Sequence, residues 1–300
     1  MDTVSIEGKK RKMQEQEKSI KENMSRIRHK IIIISGKGGV GKTTVSVALA
    51  ISLSRRKLRA GLLDIDIHGP NTAKMLGVEG ARMGTSGKGI QPVKVAENLT
   101  AVSMTFLLDN PDTAIIWRGP LKMIAIQQFL GDVAWGELDW LVIDSPPGTG
   151  DEPLSICQLI PEMDGIIIVT TPQDVALLDA RKAVSFAKEI KVPIVGIIEN
   201  MSGFTCPYCG KPIDLFKKGG GEKAAGELSV PFLGAICLDT ELVEASDSGR
   251  LLSLSKKGKA AQAIEEIADK IIVRLGGEPA AFDEEGNEAQ RSNCEASKNK

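Results

Sequence analysis

The run Gly36-Lys37-Gly38-Gly39-Val40-Gly41-Lys42-Thr43-Thr44 carries the most specific chemistry in the chain. It fits the pattern G-x-x-x-x-G-K-[ST] without a mismatch. Glycines at this density let successive backbone N–H groups curl around phosphate oxygens. A helix opening directly after them adds the positive end of its dipole. Lys42 is spaced to reach the β- and γ-phosphates of a nucleotide, and the Thr43 hydroxyl to bind Mg²⁺. A merely flexible glycine turn needs neither residue. A second lysine, Lys37, sits inside the loop, where a solvent-facing side chain is the ordinary expectation.

Carboxylates and an amide follow at three strand-like ends. Leu62-Leu63-Asp64-Ile65-Asp66-Ile67-His68-Gly69-Pro70 closes one of them, and ligands of open α/β sheets gather at that edge. A carboxylate there can orient water or bind magnesium; capping a helix is the plainer alternative. His68, alone, reads as structural or surface. Trp140-Leu141-Val142-Ile143-Asp144 is an apolar strand ending in an aspartate, which suits a Mg²⁺ carboxylate, direct or through water. The next residues, Ser145-Pro146-Pro147-Gly148-Thr149-Gly150-Asp151, combine stiff prolines with hinge glycines. They read as a switch that senses the γ-phosphate. Glu199-Asn200 ends a third apolar run. The Asn200 amide can read adenine through paired donor and acceptor groups, although asparagine is also a routine turn former. No N-K-x-D guanine motif is present.

The second informative string is Phe204-Thr205-Cys206-Pro207-Tyr208-Cys209-Gly210-Lys211. A redox C-x-x-C belongs between a strand and a helix near the start of its own domain. Here a Gly-Lys-Pro turn and the short extended piece Ile213–Phe216 follow, which is the shape of a metal knuckle. A knuckle supplies only two thiolates, whereas structural zinc and [4Fe–4S] sites generally take four ligands. Cys157 and Cys237 lie in apolar runs and Cys294 in a polar tail, none at metal spacing. A symmetric dimer in which each chain supplies Cys206 and Cys209 reaches four. Thiolates accept zinc and iron alike.

These groups need a framework that gathers strand ends. Ile31–Ser35, Arg59–Asp64, Trp140–Asp144, Ile166–Thr170, Ile194–Ile198 and Phe232–Ile236 read as strands, several of them apolar throughout. Thr43–Arg55 and Lys259–Leu275 read as helices. Another begins near Thr171, with Thr171 as N-cap and Pro172 in the first turn. Such alternation gives an α/β fold: a mostly parallel sheet with helices on both faces, in three layers. Residues 80–103 read as a hairpin insertion. Residues 1–29 read as a charged, flexible, solvated arm with some helical character; Met13, Ile20, Met24 and Ile27 form only a thin apolar stripe. Residues 30–276 form the nucleotide domain, and 277–300 a polar, disordered tail.

Composition narrows the function. The chain has 300 residues, 42% of them hydrophobic, enough for one large core. A net charge of −1 gives no basic field for nucleic acid, and 4% aromatics give few stacking platforms. No apolar run is long enough for a membrane span, and no secretory signal is visible. Five unevenly spaced cysteines make a poor disulfide framework, so the expectation is a cytoplasmic protein with reduced thiols.

The loop K-G-G-x-G-K-T-T resembles the deviant loop of the class that contains MinD, ParA and the nitrogenase iron protein. The resemblance implies that Lys37 reaches across a dimer to the partner's nucleotide. There an added ammonium stabilises charge on the transferred phosphoryl. It further implies that Asp66 positions the attacking water with Asp64 behind it, and that Asn200 reads the adenine of ATP. Together with Trp117-Arg118-Gly119-Pro120, Glu199-Asn200-Met201 and the cysteine pair, the chain resembles the Mrp (ApbC-like) family of iron–sulfur carrier ATPases. Motifs carry this likeness over residues 31–209 and elements to about 275. It implies a MinD-like homodimer that uses ATP and Mg²⁺ and hydrolyses slowly. A [4Fe–4S] cluster on Cys206 and Cys209 is passed to apo iron–sulfur proteins. The competing reading is a MinD/ParA-type positioning or partitioning ATPase with a structural zinc knuckle. Eukaryotic relatives often carry an N-terminal four-cysteine motif, whereas the arm here has no cysteine; many bacterial relatives carry an extra N-terminal domain, for which this arm is expected to be too short. It is most like archaeal members.

Overall fold

Ile31-Ile32-Ile33-Ile34 has no polar face, so as a strand it must be covered on both sides. A computed structural model describes residues 3–66, 71–87, 89–107, 119–206 and 208–278, and two helix layers supply that cover. In chain order the elements begin α1 (Thr3–Met24), β1 (Ile27–Ile34), α2 (Lys42–Arg55), β2 (Ala60–Asp64) and α3 (Thr72–Met75). A small hairpin β3 (Gly84–Ser86)–β4 (Gly89–Gln91) follows, then β5 (Val93–Ala96), β6 (Leu99–Ser103), α4 (Gly119–Gly131) and β7 (Leu138–Asp144). Next come α5 (Asp151–Leu159), β8 (Gly165–Thr170), α6 (Asp174–Glu189) and β9 (Ile194–Glu199). A ribbon β10 (Phe204–Thr205)–β11 (Pro212–Ile213) leads to α7 (Gly220–Leu228), β12 (Phe232–Ala235), α8 (Thr240–Asp247) and α9 (Lys259–Arg274).

One eight-stranded sheet runs β12-β9-β8-β1-β7-β2-β6-β5. Neighbours are parallel except the edge pair β5–β6. β1 divides the core by its two-residue period. Ile31 and Ile33 join α2, α3, α8 and α9, while Ile32 and Ile34 join α1, α4, α5, α6 and α7. This is the three-layer α/β/α arrangement expected. From β1 the chain crosses to β2 on one side, and later from β7 to β8 on the other. The loops after β1, β2 and β7 therefore meet at one sheet edge, the switch point where such folds bind ligands.

The N-terminal arm is the main correction. Instead of a solvated, flexible segment there is helix α1, and β1 already starts at Ile27. Ile20 and Met24 are fully buried. Gln16, Ser19 and Asn23 donate to the carbonyls of Gln127, Gly131 and Leu130, at 3.0, 2.9 and 2.7 Å. Leu130 and Gly131 are among the carbonyls that the end of α4 leaves without helical partners. A thin apolar stripe suffices because polar side chains complete the docking. Helix α6 also starts later than expected. Gln173, not Thr171, holds the N-cap position, and no side chain caps it. In the 80–103 insertion, β3 and β4 form the expected hairpin. However, β6 joins the main sheet parallel to β2, with Ser103 beside Asp64. The expected tail lies outside the described residues from 279 onward.

Candidate functional site

The loop between β1 and α2 is shaped by steric need at its glycines. Gly39 and Gly41 adopt φ of +78° and +79°, a region that side chains disfavour. A Cβ on Gly36 would stand 2.4 Å from the backbone oxygen of Asp179 on α6. The Ser35 hydroxyl donates to the Lys37 carbonyl at 2.9 Å and fixes the first turn. Gly41 occupies the N-cap of α2 with no side chain bonded there. The first N–H groups of α2 are thus left for an anionic ligand. Lys37 and Thr43 are half-buried, Gly38 and Gly39 exposed, and Val40 and Lys42 buried.

Behind the loop, β2 and β7 bring Asp64 and Asp144 into register, and both are buried. Lys42 Nζ lies 2.7 Å from Asp144 Oδ1. The Thr43 hydroxyl donates to Asp144 Oδ2 and the Ser46 hydroxyl to Oδ1, each at 2.7 Å. Asp64 accepts from the Ser103 hydroxyl at 3.1 Å and from the Asp66 N–H at 2.9 Å. Burial, and then repulsion from Asp144, push the Asp64 carboxyl up to about 7, against the pull of the Asp66 N–H and Lys42. Asp66 is half-buried just beyond β2. The following Ile67–Pro70, with His68, lie outside the described residues, as do Trp117 and Arg118. Two buried carboxylates facing one ammonium, with a threonine hydroxyl between them and the loop, form a donor set that suits a hard divalent cation.

The segment after β7 is laced to the root of the loop. Ser145 donates through its hydroxyl to the Ile33 carbonyl at 2.9 Å, and the Gly148 N–H to the Ser35 carbonyl at 2.8 Å. Pro147 is the nearest neighbour a Cβ on Gly38 would meet. These contacts join Ser145, Pro147 and Gly148 to the strand end and loop that precede α2.

Asn200 does more than its sequence position suggested. Its Nδ2 donates to the Val40 carbonyl at 2.9 Å, inside the loop, and a Cβ on Gly41 would come within 2.2 Å of it. It also lines a cleft of about 160 Å³ with Gly41, Thr44, Met201, Leu238 and Leu242. One amide N–H therefore backs the phosphate loop while the side chain borders the space beside it.

The cysteine pair caps the two-stranded ribbon. Phe204 pairs with Ile213 and Thr205 with Pro212, antiparallel. The Cys206 N–H donates to the Lys211 carbonyl, and the Gly210 N–H to the Cys206 carbonyl, each at 2.9 Å. The Cys209 and Tyr208 N–H groups and the Cys209 thiol all face the Cys206 sulfur. They hold its thiol below the usual range. N–H groups aimed at sulfur are what a metal-bound thiolate accepts. By contrast, burial pushes Cys157 up to about 12, so it is an inert core thiol.

Three side chains escaped the sequence reading. Ser46 bonds Asp144 from one turn beyond Thr43, a spacing that helical periodicity could have revealed. Ser103 reaches Asp64 only because β6 joins the sheet. Glu199, a glutamate at the end of an apolar run, is fully buried.

A family model described as the NUBPL iron-transfer P-loop NTPase, of the ParA group, matches residues 26–272. The iron–sulfur cluster carrier protein of Methanocaldococcus jannaschii is 52% identical over 268 residues, covering 89% of this chain and 92% of that one. The carrier protein of the same description from Methanococcus maripaludis is 48% identical over 266 residues, covering 89% and 92%. Among solved structures, a nucleotide-binding protein from Archaeoglobus fulgidus, in complex with ADP and with Co found, superposes with a TM-score of 0.71. It is 36% identical, and the match covers 81% of this chain and 95% of that one. MinD of Pyrococcus horikoshii with Mg-ADP superposes at 0.60 and 23% identity, over 83% and 98%, a likeness of fold.

Proposed function

The chain belongs to the iron-transfer P-loop NTPase family, and on that premise we propose that it is an ATP-dependent iron–sulfur carrier. Two copies hold one [4Fe–4S] cluster between their Cys206 and Cys209 pairs and pass it to apo-proteins in the cytoplasm. No nucleic-acid or membrane partner is required; among the described residues no helix is long and apolar enough to cross a membrane. The observation that carries the reading is the knuckle itself, hung from the end of the same strand whose Asn200 closes the phosphate loop. No group of three or more His, Cys, Asp or Glu suited to a metal occurs among the described residues. A four-ligand cluster then draws on a second chain. Tyr208, Ile213 and Leu215 stand exposed around the pair, apolar surface that a second copy would cover. The carrier names of the relatives support an iron–sulfur cargo, and the ADP of the Archaeoglobus protein supports a bound nucleotide.

In this reading Gly36–Thr44 cradle the phosphates and Lys42 neutralises them. Asn200 borders the adenine, and Lys37 completes the partner's site. Thr43 and Asp144 would hold Mg²⁺, which shields charge on the phosphates. Asp66 orients the attacking water. Hydrolysis is slow, because a nucleotide that gates a dimer needs a change of state more than flux. Lys37→Ala should bind MgATP normally and hydrolyse it poorly. Anaerobic reconstitution with iron and sulfide tests the cargo. A visible band that disappears in Cys206→Ala is expected; tight zinc with no iron uptake overturns it and favours a structural knuckle.

A further inference from the structure

Glu199 is a fully buried carboxylate outside the nucleotide contacts. Isolated buried charges are costly, and this one is answered entirely by the feet of the knuckle. The Ser202 hydroxyl donates to its Oε1 where the chain leaves β9. The N–H of Gly219 donates to Oε1 at 2.9 Å where the chain returns, and the N–H of Gly221 to Oε2 at the start of α7. A Cβ on Gly221 would stand 2.9 Å from the Glu199 Cβ, so glycine there permits the close approach. The excursion carrying Cys206 and Cys209 is thus clamped at both ends by one side chain.

The next residue is Asn200, whose amide holds Val40 in the phosphate loop. Met201 then adopts φ of +57°, a left-handed conformation that a non-glycine residue keeps only under constraint. A second link runs beside it. The Leu238 N–H donates to the Gly203 carbonyl at 2.9 Å, and Leu238 bridges Phe204. Leu238 lines the cleft beside the loop. The strand end therefore faces the nucleotide through one residue and the cysteine ribbon through its neighbour.

We propose that Glu199 is a positioning residue that couples nucleotide occupancy to the grip of the knuckle on its cargo. The inference rests on the carrier reading above. A shift of the loop on nucleotide binding moves Asn200. The shared peptide moves Glu199, and its three hydrogen bonds carry the displacement to both feet of the ribbon. Linkage requires the reverse effect as well: cargo on the cysteines alters nucleotide affinity by the same factor.

The test uses full-length protein loaded with iron and sulfide. Iron release to a ferrous chelator is timed with and without MgATP, and MgATP affinity is measured with and without cluster. Wild type should show a nucleotide-dependent ratio of release rates of about fivefold or more, the usual scale of coupling between sites. Glu199→Gln keeps the volume but leaves one acceptor oxygen for three donors. Its ratio should fall close to one while MgATP affinity of the cluster-free protein stays within about twofold. Mere loosening of the knuckle would raise both rates and leave the ratio intact. Ser202→Ala removes a single donor, guards against a misfolded Glu199→Gln, and should lower the ratio part of the way. If wild type depends on nucleotide and both variants keep its ratio, the coupling role is wrong and the carrier reading stands. If wild type takes up no iron, the carrier reading fails and takes the coupling role with it.

Discussion

Helix α2 has a buried basic residue at each end, and the two ends are built differently. Beyond its C-terminus, Arg56 meets Glu265 and, at 2.8 Å, Asp269 of α9. It also donates to the carbonyls of Ser52 and Glu265, at 3.1 and 3.0 Å. A cation at the negative end of a helix dipole, with its guanidinium donors met by protein, is complete in itself. At the N-terminus, Lys42 is the one cation among the described residues that faces Asp64 and Asp144, beside uncapped helix N–H groups and a loop of open glycines. Here like charges are crowded and donors are left over. The first arrangement stabilises the fold; the second is unfavourable until phosphate and a cation enter. Buried charge alone does not mark a site, but buried charge that the protein fails to balance does.

The contrast can be broken most severely at the C-terminal end. Arg56→Met should lower unfolding free energy by about 3 kcal/mol, the lower part of the range for breaking a buried pair, since the carboxylates retain some solvent. Its MgATP affinity should not change. Denaturant titration and calorimetry measure the two, and a matching loss of affinity would erase the distinction. Lys42→Ala should act on affinity first. MgATP binding weakens at least about 100-fold through lost charge-assisted hydrogen bonds of ~1.5–3 kcal/mol each, and the nucleotide-free protein is destabilised as well, because Asp144 loses its buried partner at 2.7 Å.

A subtler effect concerns pH. In metal-free, nucleotide-free protein, Asp64 at about 7 binds its proton more tightly folded than unfolded. Stability from this group is therefore present at low pH and is lost as pH rises from about 4 to about 7. Asp64→Asn should flatten that part of a melting-temperature profile and melt higher than wild type at pH 8. A profile parallel to wild type would contradict the crowding. The smallest effect is expected at Asp139, which the Arg59 guanidinium holds below the usual carboxylate range. Arg59 is exposed, so Asp139→Asn should lower the melting temperature at pH 7 only slightly, as expected of a screened surface pair. Because the folded pKa is depressed, that difference should vanish as pH falls through it.

Much of this was legible in the sequence, for physical reasons that can be named. The central strands are apolar on both faces, so Ile31–Ile34 and Ile166–Val169 could hardly be anything else. The phosphate loop is a local motif whose residues act within nine positions. What was not legible depended on long-range pairing. Helix α1 docks through Gln16, Ser19 and Asn23, polar residues that look solvated until the end of α4 offers its carbonyls. Ser103 meets Asp64 only through the parallel pairing of β6 with β2. Glu199 resembles any strand-end glutamate until the ribbon folds back upon it. The sequence shows what the Asn200 amide can recognise, but its contact with Val40, which gives it a share in shaping the loop, needs the fold.

In the proposed carrier, one chain supplies half of a shared centre. Iron content and molar mass, measured together by sedimentation on anaerobically reconstituted protein, test it most directly. A dimer carrying about two iron atoms per chain is expected, one four-iron cluster for two knuckles, reverting to iron-free protein in Cys206→Ala. A monomer that holds its full metal, or a dimer whose iron survives the loss of Cys206 and Cys209, would contradict it.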